Sequence, residues 1–158
     1  MTPTGHIPTG ARADEGRAII EVMFLAVLLL IPVVYILIAL LRLQGATLAV
    51  SQAARDVGRL IETSATTGVS AQLMHEVAGQ DLRDQGISTA NLALRTTPTG
   101  GDCAQSHSLE PSYQPGATYQ LCVVAVVSLP GVPTILSGSK NTVTGIYTVH
   151  IGQLREGP

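Results

Sequence analysis

The residues able to do chemistry are few, and most stand where no reaction is supported. His75-Glu76 opens the H-E-x-x-H pattern, in which two histidines one helical turn apart hold zinc and the glutamate acts as a base. Gly79 stands where the second histidine belongs, so the ligand pair is missing. Ser137-Gly138-Ser139-Lys140 fits S-x-x-K, whose serine is a nucleophile when it opens a helix and companion motifs lie elsewhere. Here the match falls in a Gly-Ser turn without S-D-N or K-T-G, and it reads as a hairpin connection. His107 and His150 have no acid or cysteine cluster at useful spacing, and no Gly-rich phosphate loop is present. The expectation is a non-enzyme, with no catalytic residue, no metal ligands and no cofactor.

Glu21 is the ionisable residue that stands out. It is the sole charge between Ala18 and Leu41, a run of 24 residues. A helix of that length is about 36 Å long, enough to cross a hydrocarbon layer of ~30 Å with some tilt. A carboxylate inside such a segment is costly, by roughly 2.5–3.5 kcal/mol at mid-bilayer and less near the edge. The plain reading of Glu21 is an interfacial acid in the first turn, where the helix N-terminus favours negative charge. The sharper reading is a carboxylate awaiting a cation in the membrane. Cutting the chain after Gly16 would supply one, because Arg17 would become residue one with a free amine and Glu21 residue five.

That pattern resembles the type IV pilin processing signal: a short polar leader ending in Gly, four residues, a Glu, then a long apolar helix. The resemblance implies that a prepilin peptidase cuts between Gly16 and Arg17 on the cytoplasmic side. It also implies that Glu21 docks against the new N-terminal amine of a neighbouring pilin-like subunit. The wider pattern resembles the TadE-like branch of tight-adherence (Flp) pilus proteins. Its Q-A-A-R segment after the membrane helix is matched by Gln52-Ala53-Ala54-Arg55-Asp56-Val57-Gly58-Arg59. Actinobacterial members often end in a valine-rich strand, a Leu-Pro turn and an Arg-Glu-Gly tail, which here are 122–128, Leu129-Pro130 and Arg155-Glu156-Gly157. Val22 holds a position commonly aromatic in the family, and Arg17 is unusually basic for the first mature residue.

Composition bounds the remainder. The chain has 158 residues, a net charge of −2 and no Trp, which gives no basic patch or aromatic platform for nucleic acid. Sixteen glycines and nine prolines with 13% charged residues fit a turn-rich chain on a membrane anchor. Both cysteines, Cys103 and Cys122, follow the apolar run. Paired, they fit an oxidising compartment; the alternative is two separate thiols. Arg12 and Arg17 precede the run and Arg42, Arg55 and Arg59 follow it, so charge does not set orientation. The short leader, the cysteines and the resemblance place the N-terminus in the cytoplasm.

The elements follow from periodicity. Residues 1–16 form a leader expected to be disordered, with Pro3, Gly5, Pro8 and Gly10 against helix. Residues 17–42 form the transmembrane helix, with Pro32 inside it, and 43–66 an amphipathic continuation outside the membrane. Its apolar stripe is Leu43, Ala46, Val50, Ala53, Ala54, Val57, Leu60 and Ile61, weakened by Gly45 and Gly58 at about 1 kcal/mol each. Residues 67–158 form an extracytoplasmic α+β domain. Ser70 should cap a short helix carrying Leu73, Met74, Val77, Ala78 and Leu82 and ending before Gly86. Strands are expected over 87–97, 117–129 and 142–151, in an antiparallel sheet of three or four strands packed on the helical stripe.

Two functional classes remain. One is a pilin-like minor subunit or assembly component, single-pass, processed after Gly16, with its outer domain extracytoplasmic. The other is an uncleaved single-pass anchor for an extracytoplasmic binding module. The partners expected are the lipid bilayer and, for the first class, the prepilin peptidase and other pilus subunits.

Overall fold

The computed structural model describes residues 11–64, 66–106, 108–128 and 141–153, with side chains from Arg17 onward. Its elements are α1 (Ala11–Thr63), α2 (Ala71–Asp84), β1 (Ala93–Pro98), β2 (Thr118–Val126) and β3 (Thr142–His150). This is an α+β fold, and its three strands form one antiparallel sheet in the order β1-β2-β3. The Ser137–Lys140 turn, His107, the Leu129-Pro130 turn and the Arg155–Gly157 tail lie outside the described residues.

The chain divides into two compact units, 1–38 and 39–158. In the first, α1 is bare. Its large apolar side chains from Ile19 to Ile38 are 40–71% exposed, so no described part of the chain covers them. The helix is long and apolar enough to cross a membrane. It runs through Pro32, as membrane helices tolerate. The helix begins at Ala11, which corrects the expectation that the leader is non-helical up to Gly16. Ala11-Arg12-Ala13-Asp14-Glu15 holds five residues with no breaker, and acids near a helix start are favourable. Residues 1–10 lie outside the described ones.

In the second unit the rest of α1 buries Ala46, Ala49, Val50, Ala53, Ala54, Val57 and Ile61. The seam is narrower than the expected stripe. Leu43 is 41% exposed and Leu60 only half-buried, while Ala49 and Gly58 take buried places. The reason is close approach. A Cβ on Gly145 of β3 would overlap the main chain at Val50, and one on Gly58 would overlap the ring of Tyr147. Backbone therefore lies against backbone where Gly145 meets Val50, and Gly58 leaves room for the Tyr147 ring. Gly58 is thus a packing residue rather than merely a weak point in a helix.

The short helix α2 is built as its sequence predicts. The Ser70 hydroxyl accepts the Leu73 N–H at 3.2 Å. Met74, Ala78 and Leu82 are buried. Its end is a Schellman closure: Ile87 N–H donates to Leu82 C=O at 2.9 Å and Gly86 N–H to Arg83 C=O at 2.8 Å, with Gly86 at φ 68°. That closure takes Ile87, and a turn from Thr89 to Leu92 follows, so β1 is shorter than the expected 87–97 strand.

On β2, Tyr119, Leu121, Val123 and Ala125 belong to the core. Strand alternation puts Cys122 on the opposite face, where it is buried as well. Ala117 and Val127 extend the pairing by one bond each, to Ile151 and Asn141, beyond the ends of β2.

Gly145→Ala should therefore destabilise the fold by about 3 kcal/mol, because the new methyl meets main chain that cannot swing aside. Gly58→Ala should destabilise by roughly 1–3 kcal/mol, although helix propensity alone favours Ala by about 1 kcal/mol. In a Tyr147→Ala background the Gly58→Ala change should turn stabilising. Denaturant unfolding of the full chain in micelles, followed by circular dichroism, checks all three.

Candidate processing and docking site

Gly16 and Arg17 lie in the N-terminal part of α1, and the backbone at both is helical. Arg17 and Glu21 are four residues apart, hence on one face and about 6 Å along the axis. Both are exposed. Around them Ile19, Ile20 and Val22 are exposed and apolar. No described residue gives Glu21 a hydrogen bond or ion pair. Arg-before-Glu at this spacing is the weaker helical order for such a pair. Glu21 is thus a lone carboxylate on an apolar helix surface. In a hydrocarbon layer such a carboxylate would gain from a cation on another molecule.

The second unit holds a disulfide, Cys103–Cys122, with Cα atoms 5.8 Å apart. It ties the loop after β1 to the sheet face turned away from the helices. The bridge spans 19 positions, worth about 3 kcal/mol in the chain-entropy model. Arg95, opposite Cys122 in the register, donates from Nη1 to the Cys103 carbonyl at 3.3 Å.

Two clamps were not anticipated. Glu62, in the last turn of α1, accepts the His150 N–H at 2.9 Å and the Tyr147 hydroxyl at 3.3 Å, pinning the helix end to β3. Burial, then the Glu62 charge and hydrogen bond, push the Tyr147 phenol up. Tyr113 accepts the Val69 N–H at 3.0 Å and donates to the Val69 carbonyl, holding the long loop to the connection between the helices. The signal for the Gly145 contact was present, since an isolated glycine in a strand run marks a close backbone approach. Glu62 carried no such mark, because a surface glutamate on an amphipathic helix looks like any other.

Two buried polar atoms lack a partner among the described residues, Asp81 Oδ2 and the Tyr119 hydroxyl. Tyr119 is pushed up to about 12, by burial first and then by Tyr113 and Glu62. Asp81 on α2 is raised by burial, then by Asp56 on α1 and Asp84.

His75 and Glu76 are exposed, whereas Gly79, at the position of the missing zinc ligand, is buried. Among the described residues His150 Nδ1 meets the Thr118 hydroxyl at 3.2 Å. Among the described residues no group of three His, Cys, Asp or Glu could hold a metal. An open groove of about 430 Å³ lies between β1, β2 and their connection, lined by Thr96, Ser108, Ser112 and Thr118 with Glu110. Comparison with family models, characterised proteins and solved structures gave no match.

The Asp81 shift has a fixed sign for stability. Its folded pKa lies above the ordinary aspartate value. Its contribution is therefore full below that value and is lost as pH rises through the folded one. Asp81→Asn should gain in melting temperature relative to the wild type as pH goes from about 4 to about 7. Paired thermal scans across that range check the trend.

Proposed function

We propose that this chain is a pilin-like minor subunit or assembly component of a tight-adherence pilus or related secretion system, of the TadE-like kind. The observation that carries the reading is Glu21, an unpartnered carboxylate on a bare apolar helix, five residues after Gly16. In this reading a prepilin peptidase cuts after Gly16 on the cytoplasmic side. The new amine of one subunit then neutralises Glu21 of another, and the apolar helices pack together. The α+β unit stands outside the membrane, which agrees with its disulfide.

The arrangement of α1 supports this reading. A binding anchor needs only a span, and with α1 starting at Ala11 the helix N-terminus lies ten residues before Glu21 and offers it no counter-charge. A subunit that must associate in lipid needs a polar contact there, because apolar helices gain no hydrophobic drive from one another in a bilayer. The second reading, an uncleaved anchor for a binding module, is favoured by the hydroxyl-lined groove beside Glu110.

Glu21→Gln separates the two. Membrane insertion should persist, while co-isolation with the assembly should fall at least about tenfold, because the cation it meets loses its partner. Membrane fractionation followed by crosslinking to neighbouring subunits gives both numbers. Incorporation at the wild-type level would remove the docking role.

A further inference from the structure

Two helix faces of the second unit carry opposite charge and are covered by no described element. On α1, Leu48, Gln52, Arg55 and Arg59 recur at i, i+4, i+7 and i+11, so they share one stripe, opposite the buried alanines. All four are exposed, Leu48 at 68%. Among the described residues neither Arg55 nor Arg59 makes a side-chain hydrogen bond or ion pair. On α2, Leu73, Glu76, Gln80 and Asp84 share the stripe turned away from the buried Met74, Ala78 and Leu82, and all four are exposed. Glu76 accepts a bond from the Gln72 amide at 2.9 Å and meets no cation among the described residues. The same side is made more acidic by Asp81, which feels the charges of Asp84 and of Asp56 on α1.

The two stripes stand at the same height. α2 returns beside α1, and its end comes back to Gly45, where a Cβ would lie 3.8 Å from Gln85 Oε1. From that level Arg55 is about 15 Å up α1 and Glu76 about 13.5 Å up α2, at ~1.5 Å per residue. Leu48, about 4.5 Å up, falls between the levels of Asp84 and Gln80.

Symmetry selects which faces can meet. Copies anchored by α1 in one bilayer all point the same way. A two-fold contact about the membrane normal sets a face against itself. With α1 on α1, Arg55 and Arg59 would meet the same arginines, and with α2 on α2, Glu76 and Asp84 would meet the same acids. Like charges so placed oppose association. With α1 of one copy on α2 of the next, opposite charges meet.

We propose that the Arg55–Arg59 stripe of α1 docks on the Glu76 face of α2 in a second copy of this chain. Arg55 against Glu76 sets the register, and Leu48 supplies apolar area lower down. The two faces differ, so the contact is heterologous: it repeats from copy to copy and either closes into a ring or runs on as a filament. This rests on the pilin-like reading above and deepens it, by naming the surface that subunits share outside the membrane.

Cysteine cross-linking in the native membrane tests the contact. Both native cysteines are in the bridge, so an introduced thiol is the one that reacts. Two differently tagged full-length forms, Arg55→Cys and Glu76→Cys, are expressed together and treated with a short bis-maleimide. Mixed dimers should exceed like-with-like dimers at least about fivefold, because the contact joins unlike faces. In a second measurement, Arg55→Glu/Arg59→Glu in every copy should lower co-isolation of the two tags at least about threefold, and adding Glu76→Arg/Asp84→Arg should restore it. These side chains are all exposed, so the core is left as it is. Mixed dimers no more abundant than like pairs would overturn the proposal, as would cross-linking to a different protein alone. Co-isolation that ignores the reversal, or that the second reversal fails to restore, would overturn it too. The N-terminal residue of the same sample is read alongside. Mixed dimers with Met1 retained would remove the pilin-like reading and leave the contact standing. Arg17 at the N-terminus without mixed dimers would remove the contact and leave that reading.

Discussion

The structure of the second unit depends on one close approach, α1 lying on β3 with glycine on each side. Gly145 lets the strand come up to the main chain at Val50, and Gly58 leaves room for the Tyr147 ring. The alanine-rich seam of α1 follows from this. Ala46, Ala49, Ala53 and Ala54 are buried on it beside the larger Val50, Val57 and Ile61. A seam of small side chains buries little apolar area per residue, so hydrophobic drive is modest and dispersion between close surfaces matters more. The fold compensates with fixed polar links. Glu62 joins the last turn of α1 to the end of β3, Tyr113 joins the long loop to Val69, and the disulfide joins that loop to β2.

These links share a pattern. Each ties segments that are distant in the sequence. The chain has one Phe and four Tyr, so large aromatic anchors are scarce. Tyr113, Tyr119 and Tyr147 lie in or against the core cluster, and two of them spend their hydroxyls on holding elements together. Tyr119 is the exception, a buried hydroxyl without a partner among the described residues, at a cost the close packing must offset.

The sequence made some features legible and hid others for physical reasons. The apolar run and the α2 cap were readable because each is local: composition over one span, or a serine and a glycine at fixed offsets. The α+β class and three strands followed from the valine- and threonine-rich runs. The edges of elements were harder. Ile87 reads as the start of a strand, yet it closes α2, because the Schellman bond to Leu82 competes for it. The helical stretch from Ala11 was hidden because Pro3, Gly5, Pro8, Gly10 and Gly16 all argue against helix in the leader. The Glu62 clamp joins residues more than 80 positions apart in sequence, and no periodicity marks it. The candidate site is a spacing in the sequence, Gly16, Arg17 and Glu21. The structure adds that Glu21 has no described partner within the chain.

The functional account joins two halves with different physics. A bare apolar run in α1 carries Glu21 as its one charge between Ala18 and Leu41, and a bridged α+β unit follows it. A lone carboxylate in lipid gains most from a cation on another subunit, and a cut after Gly16 would create one at Arg17. The most direct test is the N-terminal residue of the mature protein, read by mass spectrometry from its native membrane. The account predicts Arg17, and its loss when Gly16 is replaced by a bulky residue. An N-terminus at Met1 or Thr2 would contradict it and leave the chain an uncleaved anchor.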